Sequence, residues 1–385
     1  MTSGKPRIVV MANNIDEFGG AQRVVHVLAQ GLAERGYPVD LVGVAPVEPH
    51  HEFISDPSFR RFTLMPTAWP PPPKDSRLRT RLTPSVRRVI AERDRLRAAA
   101  IARLTEVLAD GPSGIVVTSQ LWAMEHLAEV PHADWAVIGQ YHSSFEAAAA
   151  GRDLPRALAL YRDVDRVLLL TPEDADRFRR RGLNNTDWLA NPLAFWPERA
   201  VEAAGQPRNV TYLGRLSPEK GPSFLIDAWA RVADDHPDWR LRIVGSGPDE
   251  VAVRRQVSAL KTGGDRVDLL PPVLDAEAEL RQAGVFALPS LTEGLPLSLA
   301  EAMAVGLPCV ATDCSAGVRL LAQEGRAARI VPRGDAGALA AALDGLMADD
   351  AARTALGDRA RRAVEPYRAE AILDAWEDVL ARVLR

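Results

Sequence analysis

The sequence has little of what marks a disulfide-rich, metal-binding or nucleic-acid-binding protein. It contains two cysteines in 385 residues, too few for a disulfide framework or a zinc site. The seven histidines are scattered, with no His-x-x-x-His or Cys-x-x-Cys pattern, so we expect no metal requirement and no cofactor. A formal net charge of -4 gives no general attraction to nucleic acid, which we therefore exclude as a partner.

Long apolar segments are also missing. No run of about 18 apolar residues occurs, and Met1–Pro6 lacks the apolar stretch of a secretory signal. We therefore expect a protein that neither spans a membrane nor is secreted, with the cytoplasm as its location. The composition, 47% apolar and 25% charged residues, is that of an ordinary globular protein, and 385 residues suit two domains.

The most informative stretch that is present runs from Glu293 to Glu301. The apolar segment 284–289 before it predicts a buried strand, and Ser298–Val305 predicts a helix that is closed by Gly306. The first carboxylate therefore lies in a turn, and the second is expected in the first turn of the helix.

A loop that leads into a helix suits an anionic ligand. The N–H groups of Leu297, Ser298 and Leu299 can hold a pyrophosphate at the helix N-terminus, while Glu293 and Glu301 accept hydrogen bonds from sugar hydroxyls. Two structural alternatives remain open, because Ser298-x-x-Glu301 also fits a capping box and Glu293 is also compatible with a solvated loop.

A second motif lies upstream, at Gly214-Arg215-Leu216-Ser217-Pro218-Glu219-Lys220-Gly221, directly after the strand-like run 210–213. Its glycines permit close approach of the backbone, and its two cations can stabilise the negative charge of a departing diphosphate. In this order and spacing, the two motifs resemble family 4 of the retaining glycosyltransferases, and the likeness covers most of the chain.

The resemblance implies a role for each of four side chains. Arg215 and Lys220 clamp the diphosphate of the donor, Glu293 holds hydroxyls of the transferred sugar, and Glu301 holds the ribose of the nucleotide. It also implies the GT-B fold, an α/β architecture of two doubly wound Rossmann-like domains that face a substrate-binding cleft.

The pattern of apolar runs agrees with this fold, because runs typical of buried parallel strands alternate with helical periodicity in both halves. We place an N-terminal acceptor-side domain at 1–195 and a C-terminal nucleotide-sugar donor domain at 196–365. By the resemblance, a terminal helix at 366–385 crosses back to the first domain. The predicted strands are 7–11, 39–44, 114–118, 135–141 and 164–170, followed by 210–213, 240–245, 267–270, 285–288, 308–312 and 328–331.

Four glycines and a histidine complete the predicted site. Gly19 and Gly20 lie between the first strand and the first helix, where the resemblance places the junction of donor phosphate and acceptor; plain turn chemistry is the alternative. Gly245 and Gly247 either border the nucleotide base or form only a turn. His142 ends a predicted strand, and the resemblance implies a hydrogen bond to the hexose, whereas a lone histidine is also common as a structural residue.

Three further features bear on the substrates. Asp16 and Glu17 are candidate acceptor contacts beside the first loop. Pro271-Pro272 stands where the resembled family commonly has glycine, which leaves the identity of the base open. The arginine-rich segment 74–103 predicts an amphipathic helix that packs on its own domain. The alternatives are peripheral contact with the inner membrane face and contact with a phosphate-bearing acceptor.

We therefore expect a retaining, metal-independent hexosyltransferase that uses a nucleoside diphosphate sugar, with UDP as the expected nucleotide. The expected acceptor is a hydroxyl of a cell-envelope glycan, a lipid-linked glycan or a small natural product. Two alternatives are a sugar-nucleotide epimerase of the same architecture and a non-catalytic nucleotide-sugar-binding protein. The sequence does not indicate the oligomeric state.

Overall fold

The structure is a computed structural model that describes residues 4–71, 83–201, 205 and 207–384. Strands and helices alternate along the chain. In order, the elements are β1 (Ile8–Ala12), α1 (Gly20–Glu34), β2 (Val39–Gly43), β3 (Arg60–Thr63), α2 (Pro84–Ala109), β4 (Ile115–Thr118), α3 (Leu121–Leu127), β5 (Ala136–Tyr141), α4 (Phe145–Ala150), α5 (Asp153–Leu160), β6 (Arg166–Leu169), α6 (Pro172–Arg180), β7 (Thr186–Trp188), β8 (Asn209–Leu213), α7 (Pro222–Val232), β9 (Arg240–Val244), α8 (Glu250–Ser258), β10 (Val267–Leu270), α9 (Ala276–Leu280), β11 (Val285–Leu288), α10 (Leu297–Val305), β12 (Cys309–Thr312), α11 (Ala316–Leu321), β13 (Arg329–Val331), α12 (Ala336–Ala348), α13 (Asp350–Val364) and α14 (Ala369–Val383).

The chain divides into two compact units. Unit 1 comprises Met1–His142, Gly151–Pro192 and Leu373–Arg385, and unit 2 comprises Ser143–Ala150 and Leu193–Ile372. Each unit is built on one parallel sheet with helices between its strands, which is the doubly wound α/β architecture expected from the sequence.

Unit 1 contains a seven-stranded sheet in the order β3-β2-β1-β4-β5-β6-β7, and every pair of neighbours is parallel. All residues of β1, β2 and β4 are buried, and apart from Asp40 and Thr118 they are apolar, as expected for strands that are covered on both faces. The two edge strands β3 and β7 were not predicted. Their sequences, Arg-Arg-Phe-Thr and Thr-Asp-Trp, are short and largely polar because an edge strand is only partly covered.

Helix α14 starts in unit 2, and from Leu373 onward it belongs to unit 1. There the side chain of Leu373 occupies the space above Gly31 of α1, so that a Cβ at this glycine would lie 2.3 Å from it. Glu377 accepts hydrogen bonds from three side chains of unit 1, which are Lys5 (2.7 Å), Arg35 (2.7 Å) and Tyr37 (3.1 Å). These contacts fasten the last helix to α1.

Helix α2 carries the described part of the basic segment. It buries an apolar stripe against its own unit, composed of Val86, Leu96, Ala100, Leu104, Val107 and Leu108, while Ile90 is exposed. Several of its arginines pair with acids, for example Arg95 with Glu92 and Arg97 with Glu129. Residues 74–82 of the segment lie outside the described residues, and membrane contact stays a prediction.

Unit 2 contains a six-stranded parallel sheet in the order β10-β9-β8-β11-β12-β13. Its core is packed around two buried tryptophans, Trp229 and Trp239. The chain runs outward from β8 through β9 to β10, and then returns to pair β11 with the other side of β8. This reversal places the loops after β8 and β11 side by side at the carboxyl edge of the sheet, where doubly wound domains bind ligands.

No helix within 4–71, 83–201 and 207–384 combines the length and the apolar character needed to cross a lipid bilayer.

Candidate functional site

The two sequence motifs occupy the loops after β8 and β11. They therefore lie where the strand order of the unit 2 sheet reverses, which we call its switch point. The first loop turns through the short 3-10 helix Pro218–Lys220, and Gly221 follows in the left-handed conformation, with φ 62°. A Cβ at Gly221 would lie 2.4 Å from the carbonyl oxygen of Pro289, which begins the second loop. Only glycine lets the two loops pack this closely, and Leu291 N donates to Glu219 O at 2.8 Å to join them.

Lys220 and Glu293, separated by 73 positions in sequence, form an ion pair between these loops. The ammonium Nζ of Lys220 lies 2.8 Å from both carboxylate oxygens of Glu293, and Ser290 Oγ donates to Oε1 at 2.8 Å. Glu293 is only 8% exposed, whereas the Lys220 side chain is 30% exposed. Both side chains are therefore held at the crevice between β8 and β11, and the solvated-loop alternative for Glu293 is wrong.

The first loop carries two cations, Arg215 and Lys220, beside the carboxyl of Glu219. Arg215 is exposed, and it forms no ion pair with any residue that the structure describes. Burial opposes ionisation of Glu219, yet the pKa of this carboxyl lies below its ordinary value because of the hydrogen bond from Ser217 (2.5 Å) and the charges of Lys220 and Arg215. The positive charges of Lys220 and Arg215 therefore both act on the Glu219 carboxyl in this loop.

Helix α10 begins at Leu297, with Pro296 as its N-cap, which places Ser298 inside the helix. The capping-box alternative is therefore wrong, because Ser298 cannot be the capping residue. Glu301 lies in the second turn rather than in the first turn that the sequence predicts, and it is 1% exposed. A carboxylate this deeply buried is rare in proteins and indicates a specific role.

The N-terminal turn of α10 is available to an anion. The first hydrogen bond of the helix runs from Ala300 N to Pro296 O at 3.1 Å, so the N–H groups of Leu297, Ser298 and Leu299 have no acceptor within the helix. Such N–H groups and the partial positive charge of a helix N-terminus favour an anionic ligand.

The loop after β9 lies against the same region. The backbone at Gly245 and Gly247 packs on the carbonyl oxygens of Gly214 and Leu216, which a Cβ would approach to 1.9 and 2.2 Å. These close contacts explain why both positions are glycine, since any side chain would clash with the backbone. A role beside the nucleotide base stays a prediction.

Three predicted residues belong to unit 1. Gly19 is the N-cap of α1 and Gly20 is its first residue, between β1 and the helix as expected. His142 directly follows β5, and neither ring nitrogen has a hydrogen-bonding partner of normal geometry within the described residues. Burial lowers the pKa of His142 to about 4, an effect that the side chain of Asn191 only partly offsets, so the imidazole is neutral at pH 7.

Comparison with known proteins identifies the family. A model described as "Glycosyltransferase Family 4" matches residues 18–189, and one described as "Glycosyl transferases group 1" matches residues 207–349. Together they cover most of the chain. The chain belongs to glycosyltransferase family 4. It is therefore a glycosyltransferase, and the two Rossmann-like units are those of the GT-B fold.

Individual relatives agree with this assignment. A Haemophilus influenzae protein named "Uncharacterized glycosyltransferase" is 28% identical over 95% of this chain and 98% of its own length. A Mycobacterium leprae phosphatidyl-myo-inositol mannosyltransferase is 36% identical over 48% of each chain. Among solved structures, Anabaena HepE in complex with UDP and glucose superposes with a TM-score of 0.75 at 17% identity, covering 98% of this chain and 100% of that chain.

Several supporting residues of this family 4 glycosyltransferase could not be found from its sequence. Ser290 holds Glu293, Thr312 Oγ1 donates to Ser290 O, and Ser315 Oγ donates to Gly294 O at 3.1 Å. Serine and threonine are common in loops, and nothing local distinguishes these three. The available signal was position, since Ser290 and Ser315 follow β11 and β12, and Thr312 is the last residue of β12.

Neither a metal centre nor a reactive thiol accompanies the site in the part of the chain that the structure describes. No group of three histidine, cysteine, aspartate or glutamate residues there could hold a metal ion. Cys309 and Cys314 are buried and free. Burial, followed by the negative charge of Glu293, raises the pKa of Cys314 to about 12, so this thiol remains neutral.

Proposed function

We propose that this protein is a retaining, metal-independent hexosyltransferase. Its donor is a nucleoside diphosphate sugar, with UDP as the nucleotide, and its acceptor is a hydroxyl of a cell-envelope glycan or of its lipid-linked precursor. The observation that carries the proposal is the ion pair between Lys220 and Glu293 at the switch point of unit 2, next to the N-terminus of α10.

The donor fits the arrangement of charges. A diphosphate needs cations and free N–H groups, which Arg215, Lys220 and the first turn of α10 supply on one side of the crevice. A hexose needs hydrogen-bond acceptors for its hydroxyls, which the carboxylate of Glu293 supplies beside Lys220. The buried carboxylate of Glu301 suits the ribose hydroxyls.

The same residues account for the reaction. The bond between the anomeric carbon and the β-phosphate oxygen breaks, and the acceptor oxygen bonds to that carbon on the same face. The acceptor proton passes to a phosphate oxygen of the leaving UDP. Lys220 and Arg215 stabilise the negative charge on the diphosphate as it leaves, and this preorganised stabilisation is worth about 3 to 4 kcal/mol for one well-placed donor.

Metal independence is proposed because the chain supplies its own positive charge. Fixed cations beside the leaving group do the work that a divalent ion does in other phosphate-binding sites. We expect turnover to be unchanged in excess EDTA, and a loss of activity that added Mg²⁺ or Mn²⁺ restores would contradict this part of the proposal.

The nature of the acceptor and of the nucleotide is supported by the relatives. The M. leprae protein is named for transfer of mannose to phosphatidyl-myo-inositol, a hydroxyl acceptor on a lipid, and Anabaena HepE binds UDP and glucose. Both uses are consistent with the crevice described here.

A panel of UDP- and GDP-sugars tests the proposal. Full-length protein is assayed for nucleotide release, first with donor alone and then with glycan and lipid-linked acceptors, and the anomeric configuration of the product is read by NMR. We expect Lys220→Ala to lower kcat/KM by about 10²- to 10³-fold. The matched control is Lys261→Ala, a change at an exposed lysine of the same unit.

Each alternative has its own outcome. Release of an epimerised sugar nucleotide without acceptor would favour an epimerase, and tight donor binding without any turnover would favour a binding protein. An inverted product would contradict the retaining assignment. Equal turnover by the Lys220 and Lys261 variants would contradict the site.

A further inference from the structure

The carboxylate of Glu293 has room for few further hydrogen bonds. Lys220 Nζ lies 2.8 Å from each of its oxygens, and Ser290 Oγ donates to Oε1 at 2.8 Å. No other group among the described residues donates to this carboxylate. Because a carboxylate offers about four acceptor positions, two on each oxygen, Oε1 is filled and one position stays open on Oε2.

Binding of a diphosphate does not require these bonds to break. An ammonium carries three N–H groups, so Lys220 can keep two on the carboxylate and donate the third to a phosphate oxygen. Lys220 is 30% exposed and Glu293 is 8% exposed, so the lysine is the more accessible partner of the pair. The carboxylate then meets the sugar with the one acceptor position that is left.

The position of Ser290 is set by the fold of unit 2. Its side chain is fully buried, and its carbonyl oxygen accepts a hydrogen bond from Thr312 Oγ1 at the end of β12. β11 and β12 are neighbours in the sheet, with Leu288 opposite Ala311. The hydroxyl of Ser290 is therefore in place before any donor binds.

The backbone after Glu293 is also held, but without contact to its carboxylate. Ser315 Oγ donates to Gly294 O at 3.1 Å, and a Cβ at Gly317 would lie 1.9 Å from the same oxygen. These contacts fix the loop and leave the orientation of the Glu293 carboxylate to other groups.

Of the two groups that bind this carboxylate, only Ser290 distinguishes its oxygens. The terminal torsion of a glutamate is soft, and Lys220 lies at equal distance from both oxygens, so the ammonium alone permits the carboxylate to turn. The hydroxyl of Ser290 joins Oε1 to the sheet, which leaves Oε2 as the oxygen with an open position.

We propose that Ser290 is a positioning residue for sugar recognition. Its hydroxyl fills Oε1 of Glu293, so that the carboxylate accepts one hydroxyl of the transferred sugar, at Oε2, rather than two neighbouring hydroxyls. The inference rests on the proposed transferase function and narrows it, because the hexose is then selected at this carboxylate by a single hydroxyl. A sugar that lacks this hydroxyl leaves a buried acceptor unpaired and is rejected.

Affinities of sugar nucleotides for the full-length protein test the inference without an acceptor. The probes are UDP-glucose, UDP-galactose and UDP-N-acetylglucosamine, each with its monodeoxy analogues, and calorimetric titration measures their binding. Each affinity is expressed as a ratio to that of UDP, so that effects at the diphosphate cancel. For the sugar with the highest ratio, we expect removal of one hydroxyl to lower the ratio about tenfold in the wild type and less than about twofold in Glu293→Ala. The other hydroxyls should have the same effect in both proteins.

Ser290→Ala tests the positioning role. We expect it to lower the ratio for the best UDP-sugar about three- to tenfold, to change UDP affinity by less than about twofold, and to have no further effect on the ratio in Glu293→Ala. It should also weaken the discrimination against the deoxy analogue, because the carboxylate is then free to turn. Ser315→Ala is the matched control, since this serine supports the same loop through Gly294 O, and its effect should be the same with and without Glu293→Ala.

A second pair of variants tests the link to β12. Thr312→Val removes the hydroxyl that donates to Ser290 O, whereas Thr312→Ser keeps it. We expect the ratio of UDP-sugar to UDP affinity to fall at least about threefold in Thr312→Val and to change by less than about twofold in Thr312→Ser.

The results separate this inference from the proposed function. Coupling of two hydroxyls to Glu293, coupling of none, or an effect of Ser290→Ala that persists in Glu293→Ala would overturn the role of Ser290. An equal loss of affinity for UDP and for the UDP-sugars in Ser290→Ala would do the same, because it would show only structural support. Unchanged UDP affinity in Lys220→Ala would instead contradict the donor site, whichever hydroxyl Glu293 accepts.

Discussion

Because Glu293 is paired with Lys220, the change Glu293→Gln is expected to affect UDP binding and use of the complete donor in opposite directions. The carboxylate holds the ammonium through both oxygens at 2.8 Å, so a diphosphate must compete with it for the same cation. The substitution keeps the shape of the side chain and removes its charge. We therefore expect UDP to bind more tightly and the complete donor to be used less efficiently.

The magnitudes follow from the geometry. At 2.8 Å and an effective dielectric constant near 20, the gross attraction is about 6 kcal/mol. Desolvation and the 30% exposure of Lys220 reduce the net value to about 1 kcal/mol, equivalent to an increase in UDP affinity of up to about fivefold. Loss of charged hydrogen bonds to the sugar costs about 1.5 to 3 kcal/mol, which lowers kcat/KM by about 10- to 150-fold.

Calorimetric titration with UDP and a nucleotide-release assay with the donor measure the two effects. Glu277→Gln serves as the control, because Glu277 is also paired with an arginine, Arg281, at 2.9 Å but lies on α9 rather than in the loop after β11. If Glu293→Gln weakened UDP binding and turnover by the same factor, Glu293 would only position Lys220. The assignment of Glu293 to the sugar would then be refuted.

Three further changes test the surroundings of the site. A Cβ at Gly317 would lie 1.9 Å from the carbonyl oxygen of Gly294, so Gly317→Ala should lower donor kcat/KM at least about tenfold, whereas Gly345→Ala, which has open space around it, should not. The folded-state pKa of His142, about 4, lies below its unfolded value of about 6.5, so neutral His142 stabilises the fold above pH 6.5 and this stability is lost as the pH falls toward 4. His142→Gln should therefore reduce the difference in unfolding free energy between pH 7.5 and 4.5 by about 2 kcal/mol in urea titrations, and an unchanged difference would contradict its burial as a neutral group. Glu377→Ala should lower the free energy of unfolding of unit 1 by about 1 to 2 kcal/mol in urea and leave UDP affinity unchanged; a loss of UDP affinity would contradict a purely structural role.

Most strands could be predicted closely because they contain short apolar runs that are bounded by turns or helices. β10 and β11 lie where the sequence places them, and the other predicted strands differ by one or two residues at one or both ends. The edge strands β3 and β7 escaped prediction because polar residues occupy their exposed positions, whereas the edge strands β10 and β13 of unit 2 retain enough apolar residues to be predicted. The start of α10 could not be fixed from the sequence either, because Pro296 and Ser298 are both compatible with a helix start. In the structure, Pro296 is the N-cap.

The alternation of strands and helices, the family, and the loops that carry the chemistry are encoded in local periodicity and in short motifs, so they could be predicted before the fold was known. Which side chains meet depends on the fold of each unit. Lys220 contacts Glu293 across 73 positions because β8 and β11 are neighbours in the sheet. Asp16, in the loop after β1, contacts Arg61 of β3 across 45 positions because only β2 separates these two strands in the sheet. The order of the strands in a sheet depends on how each strand-helix-strand connection packs, and no short stretch of sequence specifies it.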